Sequence, residues 1–314
     1  MQRAPDLKPI ATQETAGLGD AALDALMPDP VIILSAPRAG STLMFEQICR
    51  IPPFWSIGGE SHAIFREFPH LRASDAALSS MALDERHADP QTADMFRRLF
   101  VLLMRDDRGR RYLEYPPQAR PEHVTLVEKT PRNALNIPFL LKMFPRARFV
   151  FLHRDPRQNV ASLIEAWAVG LNKGRFITFR DLPDWPLPGW CFVLPPGWEK
   201  MRGRSLAEIA AFQWLACNEA IISGLSGLPA ERLTVLSYSD FMADPGKALL
   251  GVCKTLGIDG APADLNIGSM PLSRSTVSQP DPDKWRRFEA EIAPLLPQLT
   301  SMQARIDDFA AGLG

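Results

Sequence analysis

Several short stretches of the sequence place cations and hydroxyl groups where a chain can bind a phosphate-like anion. The first is the segment 35–42, SAPRAGST, in which Arg38 precedes Gly40 and two hydroxyl residues, Ser41 and Thr42, follow it. A glycine before a helix lets backbone N–H groups approach an anion closely, and a guanidinium adds a fixed positive charge. The Walker A loop needs a Lys directly after its last Gly, where this chain has Ser41. The segment indicates another kind of anion-binding loop, unless it is only a tight turn with an incidental Arg.

A second stretch, 58–62, offers groups that can move a proton. Two glycines precede Glu60, and His62 lies two positions further on. On an extended backbone, side chains two apart point to the same side, so both can face one cleft. A carboxylate and an imidazole are both suited to general acid or base chemistry. The alternatives are a helix-capping or solvated Glu60 and a hydrogen-bonded structural His62.

Two more cations follow apolar runs typical of buried strands. Lys129 comes after the run 124–127, and Arg154 comes after the run 148–152. Open α/β sheets bind ligands at the carboxyl ends of their strands, so both side chains are expected near the loop at 35–42. Ser162, two turns into the helix predicted after Asp155-Pro156, can converge with Arg154 on one anion. A sheet-capping Lys129 and a salt-bridged Arg154 remain the structural alternatives.

The elements that must position these residues form a repeating pattern. Apolar runs at 31–34, 124–127, 148–152 and 233–236 are each followed by a helical pattern, and Ser205 with Glu208 forms a capping box. This predicts an α/β fold: a single domain with a mostly parallel central sheet flanked by helices, in the three-layer architecture of P-loop kinases. Residues 63–120 are predicted to be mostly helical, and residues 1–19 to be a loosely ordered, flexible arm.

The overall composition excludes several classes of protein. The 35 Lys and Arg residues balance 36 Asp and Glu residues, so the net charge of −1 gives no field suited to nucleic acid. The four cysteines form no CxxC pair or zinc-type cluster, and no apolar run reaches the ~20 residues of a membrane span. We expect a cytoplasmic protein with reduced thiols, no membrane span and no nucleic-acid partner.

The motifs together, in their order along the chain, resemble one known family. PRAGST, GGESH, EKTP, HRDP with a Ser eight residues after its Arg, and YSDF followed by DP are similar to segments of sulfotransferases that use 3′-phosphoadenosine 5′-phosphosulfate (PAPS). One departure is Ser239, where the family usually has Glu. The resemblance implies PAPS as cosubstrate without a metal, and a hydroxyl acceptor. It assigns the donor to Pro37, Arg38, Ala39, Gly40, Ser41, Thr42, Arg154, Ser162 and Tyr238.

The same resemblance implies roles for the remaining candidates. Glu60 would be the general base, with His62 assisting or substituting, and Lys129 would contact the sulfate or the bridging oxygen. Arg274 or Lys284 would close on the nucleotide's 3′-phosphate and adenine.

The segment 183–198, rich in Trp and Pro, is predicted to be a flap over the acceptor site, unless its Trp side chains only pin a long loop to the core. The acceptor itself, a small molecule or a glycan or lipid hydroxyl, and the oligomeric state stay open. A P-loop small-molecule kinase and a non-catalytic nucleotide-binding module are the other candidate functions.

Overall fold

The computed structural model describes residues 6–73, 78–265, 267–268 and 270–313. Its strands are β1 Val31–Leu34, β2 Phe54–Trp55, β3 Thr125–Lys129, β4 Arg148–His153, β5 Ile177–Phe179, β6 Trp190–Cys191 and β7 Leu233–Ser237. Its α-helices are α1 Leu7–Glu14, α2 Asp20–Leu26, α3 Ser41–Ile48, α4 His62–Arg66, α5 Pro90–Leu103, α6 Ile137–Met143, α7 Pro156–Lys173, α8 Leu206–Leu225, α9 Tyr238–Ala243, α10 Pro245–Thr255, α11 Glu289–Ile292 and α12 Leu296–Ala311.

Five strands form a wholly parallel sheet in the order β2-β3-β1-β4-β7. Side chains alternate between its two faces, so Val31 and Ile33 pack with α3 and α10, whereas Ile32 and Leu34 join the larger core under α5, α7 and α8. The predicted α/β fold with helices on both faces of a mostly parallel sheet is therefore confirmed. The sequence patterns did not indicate β2 or the small antiparallel pair β5-β6.

The position of β1 in the middle of the sheet decides where the functional residues meet. Its neighbours are β3 and β4, with Ile33 opposite Lys129 and Leu34 opposite Phe151. The turns that follow these three strands consequently lie side by side at one edge. Asp155 fixes the start of α7 by accepting a hydrogen bond from the backbone N–H of Gln158.

Two predicted segments differ from the structure. Residues 7–14 of the predicted flexible arm form α1, which packs on α5, because Ala11 is buried and Asp6 caps the helix; residues 1–5 lie outside the described residues. In the region predicted to be mostly helical, 63–120, the described α-helices are α5 and part of α4. Prolines at 69, 116 and 117 restrict the rest to short 3₁₀ turns and irregular chain.

None of the helices in the described residues combines the length and apolar character that crossing a membrane requires. The four cysteines are unpaired, and burial raises the pKa of Cys191 and Cys217 to about 12. Thiols in such surroundings are poor nucleophiles, which favours packing as their role.

Candidate active site

The loop between β1 and α3 takes a shape that only a glycine fits. Gly40 has a φ of 105°, and a Cβ at this position would lie 2.4 Å from the ring of Tyr238. Within the described residues, the first turn of α3 receives no side-chain cap, so its backbone N–H groups have no side-chain partners there. Ser35 donates to Ser41 across the turn, with 2.8 Å between the hydroxyl oxygens. The turn thus presents the positive end of a helix, as an anion site requires.

A neighbouring helix holds this loop from the side. The amide of Asn159 in α7 donates to the carbonyl oxygen of Pro37 at 2.8 Å, and Asn159 is fully buried. Sequence reasoning missed this residue, although it lies three positions before Ser162 on the same helix. The signal that could have identified Asn159 is a polar residue on the apolar face of a helix.

Two arginines meet above the loop. Burial, together with the charges of Arg154 and Arg175, lowers the pKa of Arg38 to about 10. Its Nη1 donates to the carbonyl oxygen of Ser275 at 2.7 Å, and its buried Nε has no hydrogen-bond partner in the described part of the chain. The guanidinium of Arg154 lies 4.5 Å from the centroid of the Tyr238 ring. Mutual repulsion and burial both disfavour this grouping, and an anion bound between the two arginines would relieve it.

The two candidate cations near the C-terminus lie on different sides of the cavity. Lys284 Nζ is 2.6 Å from both Glu165 Oε2 and the Ser278 hydroxyl, and Glu165 follows Ser162 by three positions on α7. Arg274 Nε is 3.1 Å from Glu46 Oε1, and its Nη1 donates to the carbonyl oxygen of Gly58 at 3.3 Å. Lys284 is thus beside Ser162, whereas Arg274 lies beside the turn that carries Glu60.

Glu60 is the centre of a charged cluster. One of its oxygens pairs with Lys129 Nζ, and the other lies 2.9 Å from His62 Nε2. Burial alone would raise the pKa of Glu60, but the His62 hydrogen bond and the Lys129 charge outweigh it and lower this pKa to about 2. Lys129 also donates to Thr42 Oγ1 at 2.9 Å and is almost fully buried. Ser61 lies in a turn and His62 begins α4, so the predicted pairing arises on a turn rather than on an extended backbone.

A buried carboxylate below this cluster fixes the turn in place. Glu128 Oε1 accepts hydrogen bonds from the hydroxyls of Ser61 and Thr130, each at 2.6 Å, and Asn133 donates to its other oxygen. The backbone N–H of Ser61 donates to Thr130 Oγ1 at 2.8 Å. Burial raises the pKa of Glu128. The signal for this network was the presence of Glu128 at the end of an otherwise apolar strand.

The loop, the arginines and the charged cluster lie around a cavity of about 890 Å³. Most of the predicted site residues line it: Pro37, Arg38, Gly40, Ser41, Thr42, Glu60, His62, Arg154, Ser162, Tyr238, Arg274 and Lys284. Ala39 does not line it, and Lys129 is buried behind Thr42 and Glu60. Residues that the patterns did not indicate form much of the remaining wall, among them Phe65, Arg132, Phe176, Phe179 and Phe192.

The Trp side chains of the segment 183–198 pack on one another and against the core, which is the second of the two roles predicted for them, and a flap over the acceptor site stays a prediction. Trp190 and Trp198 are buried, and they form edge-to-face contacts with each other at 6.0 Å. Trp190 also packs on Trp167 in α7 at 5.3 Å, and its indole N–H donates to the Val193 carbonyl oxygen at 2.7 Å. Among the described residues that line the cavity, none is a tryptophan. The rings hold the segment against the core because burying them there removes their apolar area from water. From this segment, the residues that border the cavity are Phe192 and Val193.

A sequence profile described as the sulfotransferase family matches residues 30–262, about three quarters of the chain. The chain belongs to the sulfotransferase family. The match begins at the residue before β1 and ends after α10, so all five strands of the parallel sheet lie within it. It ends before Arg274 and Lys284.

Solved sulfotransferase structures are similar to this sulfotransferase at low sequence identity. The enzyme from Alicyclobacillus acidocaldarius is 16% identical, with 87% of this chain and 95% of that chain covered and a TM-score of 0.46. STF9 from Mycobacterium avium is 16% identical over 91% and 72%, with a TM-score of 0.47. Mouse SULT7A1 complexed with PAP is 13% identical over 97% and 94%, with a TM-score of 0.43. No curated protein matches the sequence.

Proposed function

We propose that this sulfotransferase moves a sulfuryl group from PAPS to a hydroxyl acceptor, with Glu60 as general base. The observation that carries the proposal is the presence of two positive sites in one cavity, the helix start at Ser41 and the pair Arg154–Ser162. PAPS carries negative groups at both its 5′ and 3′ positions, so it matches two sites better than one. Glu60 borders the same cavity on the side of Thr42.

The roles of the residues follow from the charges that change during the reaction. The acceptor oxygen forms a bond to sulfur while the bond from sulfur to the bridging phosphate oxygen breaks, and the acceptor proton passes to Glu60. The leaving group is 3′-phosphoadenosine 5′-phosphate (PAP). The N–H groups of α3, together with Arg38 and Lys129, are placed to stabilise the negative charge that develops on its 5′-phosphate. These cations would neutralise the developing charge as Mg²⁺ does in a kinase. The absence of a metal requirement stays a prediction.

The contact between Lys129 and Glu60 connects donor and base. While paired with Lys129, Glu60 has a pKa of about 2 and is a weak base. A phosphosulfate group beside Thr42 attracts Lys129 as well, which weakens that pairing and raises the proton affinity of Glu60. His62, 2.9 Å from the other carboxylate oxygen, is placed to orient the base or to accept the proton in its place.

The C-terminal residues contribute according to their positions. Lys284 lies beside Ser162, and so we assign it to the 3′-phosphate side. Arg274 contacts the carbonyl oxygen of Gly58 next to the base, which favours a role near the sulfuryl group or the acceptor. Tyr238 packs against Gly40 and Arg154, where it borders the nucleotide site.

Calorimetric titration tests the donor site. PAP should bind with micromolar affinity or better, about −8 kcal/mol. ATP with Mg²⁺, and adenosine 5′-phosphosulfate without the 3′-phosphate, should bind much more weakly. Arg154→Ala should lower PAP affinity about 10- to 100-fold, because a charge-assisted hydrogen bond contributes roughly 1.5–3 kcal/mol. Tight ATP–Mg²⁺ binding that is indifferent to the 3′-phosphate would refute the proposal and favour the kinase.

Turnover distinguishes the enzyme from a binding module. Formation of PAP from PAPS, with a hydroxylated amphiphile such as 8-hydroxyoctanoate as acceptor, should require Glu60. PAP binding without any turnover across a broad set of hydroxyl acceptors would favour the non-catalytic module. A hydroxylated small-molecule, glycan or lipid acceptor and a cytoplasmic location stay predictions.

A further inference from the structure

Arg132 is a buried cation that the proposed reaction does not use. It lies in the 3₁₀ segment Pro131–Leu135 after β3, is 4% exposed, and borders the cavity. Its Nη2 donates to the carbonyl oxygen of Leu71 at 3.1 Å, whereas its buried Nε has no hydrogen-bond partner among the residues that the structure describes. Burial lowers the pKa of Arg132 to about 9, because the surroundings disfavour its charge. A buried guanidinium with an unused donor indicates a missing anionic partner.

No carboxylate in the part of the chain that the structure describes forms an ion pair with Arg132. The charge that raises its pKa belongs to Glu128, but Ser61, Thr130 and Asn133 already donate to the oxygens of that carboxylate. The guanidinium instead lies 3.8 Å from the centroid of the Phe65 ring. The aromatic ring offers only a partial counterweight to a buried charge.

The position of Arg132 places it at the acceptor end. Phe65, beneath the guanidinium, follows His62 by three residues on α4, a rise of about 4.5 Å along the helix. Arg132 therefore packs on α4 about one helical turn from His62, which contacts the candidate base Glu60. Arg66 of α4 also borders the cavity. Apolar side chains of Met81, Phe192 and Val193 border it as well.

The balance of charges in the cavity also favours an anion beside Arg132. Its described lining contains seven arginines and one lysine against two carboxylates. The proposed donor engages Arg38, Arg154 and Lys284. Cations remain at the α4 end after the donor's negative groups are matched, and of these Arg132 is buried away from water, so this end suits a second anion.

We propose that the acceptor is an amphipathic hydroxyl compound with a carboxylate or phosphate group, and that Arg132 binds this anion while the apolar wall holds the carbon skeleton. This inference rests on the proposed function, since it names the acceptor class for the same site. It makes Arg132 a specificity-determining residue for the acceptor.

Calorimetry with matched probes tests the assignment on the PAP-loaded and on the free protein. The probes are 8-hydroxyoctanoate, its methyl ester and 8-hydroxyoctyl phosphate, all of which carry the same terminal hydroxyl. We expect the wild type to bind the acid at least about tenfold more tightly than the ester, as a charge-assisted pair predicts. Arg132→Gln should reduce that ratio to near one, and Arg132→Lys should keep part of it. The relative affinities of the acid and the phosphate identify which anion fits better.

Arg97→Gln is the matched control, because Arg97 also lies near a phenylalanine ring and donates to a main-chain carbonyl, that of Met143. It does not border the cavity, so the acid-to-ester ratio should stay at its wild-type value. Equal affinity for acid and ester in the wild type, or an unchanged ratio in Arg132→Gln, would overturn the inference. Failure of PAP to bind would reject the proposed donor instead, while an Arg132-dependent ratio in the free protein would still support an anion site.

Discussion

At the proposed donor end of the cavity, the functional residues come at or shortly after the ends of parallel strands, whereas at the proposed acceptor end much of the wall comes from irregular chain. Gly40 follows the end of β1 by six residues, Lys129 is the last residue of β3, and Arg154 comes directly after β4. Phe176 and Phe192 instead belong to a long excursion between α7 and α8. The topology of the sheet brings the proposed donor residues together, while the proposed acceptor residues depend on how separate segments of irregular chain and α4 pack.

The largest expected effect lies where the two ends meet. Glu60→Gln should lower kcat by about 10²- to 10⁴-fold, the range that a general base contributes. PAP affinity, measured by calorimetry, should be retained because the phosphate loop is untouched. Turnover within tenfold of the wild type would contradict the assignment. A greater loss in His62→Asn than in Glu60→Gln would make His62 the base.

The ion pair of Glu60, where the two ends of the cavity meet, should make the stability of the fold depend on pH. The uncharged side chains of the apolar wall should not. The pKa of Glu60 is about 2 in the fold and 4.5 ordinarily, so its ionised form stabilises the fold above about pH 4.5. This contribution is lost as pH falls towards 2 and amounts to at most about 3 kcal/mol. Urea unfolding from pH 7 to 3.5 should show the advantage of the wild type over Glu60→Gln shrinking below pH 4.5. A constant difference across that range would contradict the ion-pair account.

A smaller effect is expected from adding a side chain in the loop between β1 and α3. Gly40→Ala places a Cβ against the Tyr238 ring in a left-handed conformation, so both backbone strain, about 1–3 kcal/mol, and displacement of the ring follow. PAP affinity should fall at least about tenfold. Gly109→Ala is the control, since Gly109 has a φ of 83° but no neighbour within 4 Å of the added carbon. It should lose stability by strain alone and bind PAP normally; similar losses of PAP affinity in both variants would contradict the steric argument.

The contrast between the two ends also explains which site residues could be predicted from the sequence. Gly40 and Arg154 were predicted because each follows an apolar run typical of a buried strand, and the turns after neighbouring parallel strands meet at one edge of the sheet. Glu60 was predicted from the GGESH segment and the family resemblance. Arg132 and Phe192 were not predicted, because their positions depend on long-range packing that no local spacing encodes. Arg132 lies only three residues after Lys129, yet its burial follows from contacts with Phe65 and Leu71.

The Trp-rich segment shows how composition alone misleads. Three tryptophans in a short stretch indicate a large apolar surface, but composition does not say whether a ring faces a ligand or the core. Here Trp190 faces Trp167 and the interior, and Phe192, two residues later, borders the cavity. Phe192 comes directly after β6 and has a φ of 64°, so the backbone leaves the strand conformation there. This local turn of the backbone, rather than the ring type, determines which aromatic borders the cavity.

The smallest predicted effect separates the apolar wall from the buried charge. Phe192 stacks on Phe176 with 5.1 Å between ring centroids, and Phe192→Ala should weaken 8-hydroxyoctanoate and its methyl ester equally, by about two- to tenfold, as loss of an aromatic contact predicts. Trp190→Phe, a change behind the wall, should lower the melting temperature without altering either affinity. A selective loss of the acid in Phe192→Ala would mean that the ring positions the anion. An equal loss would show that the wall supplies affinity for the carbon chain, while the distinction between acid and ester depends on Arg132.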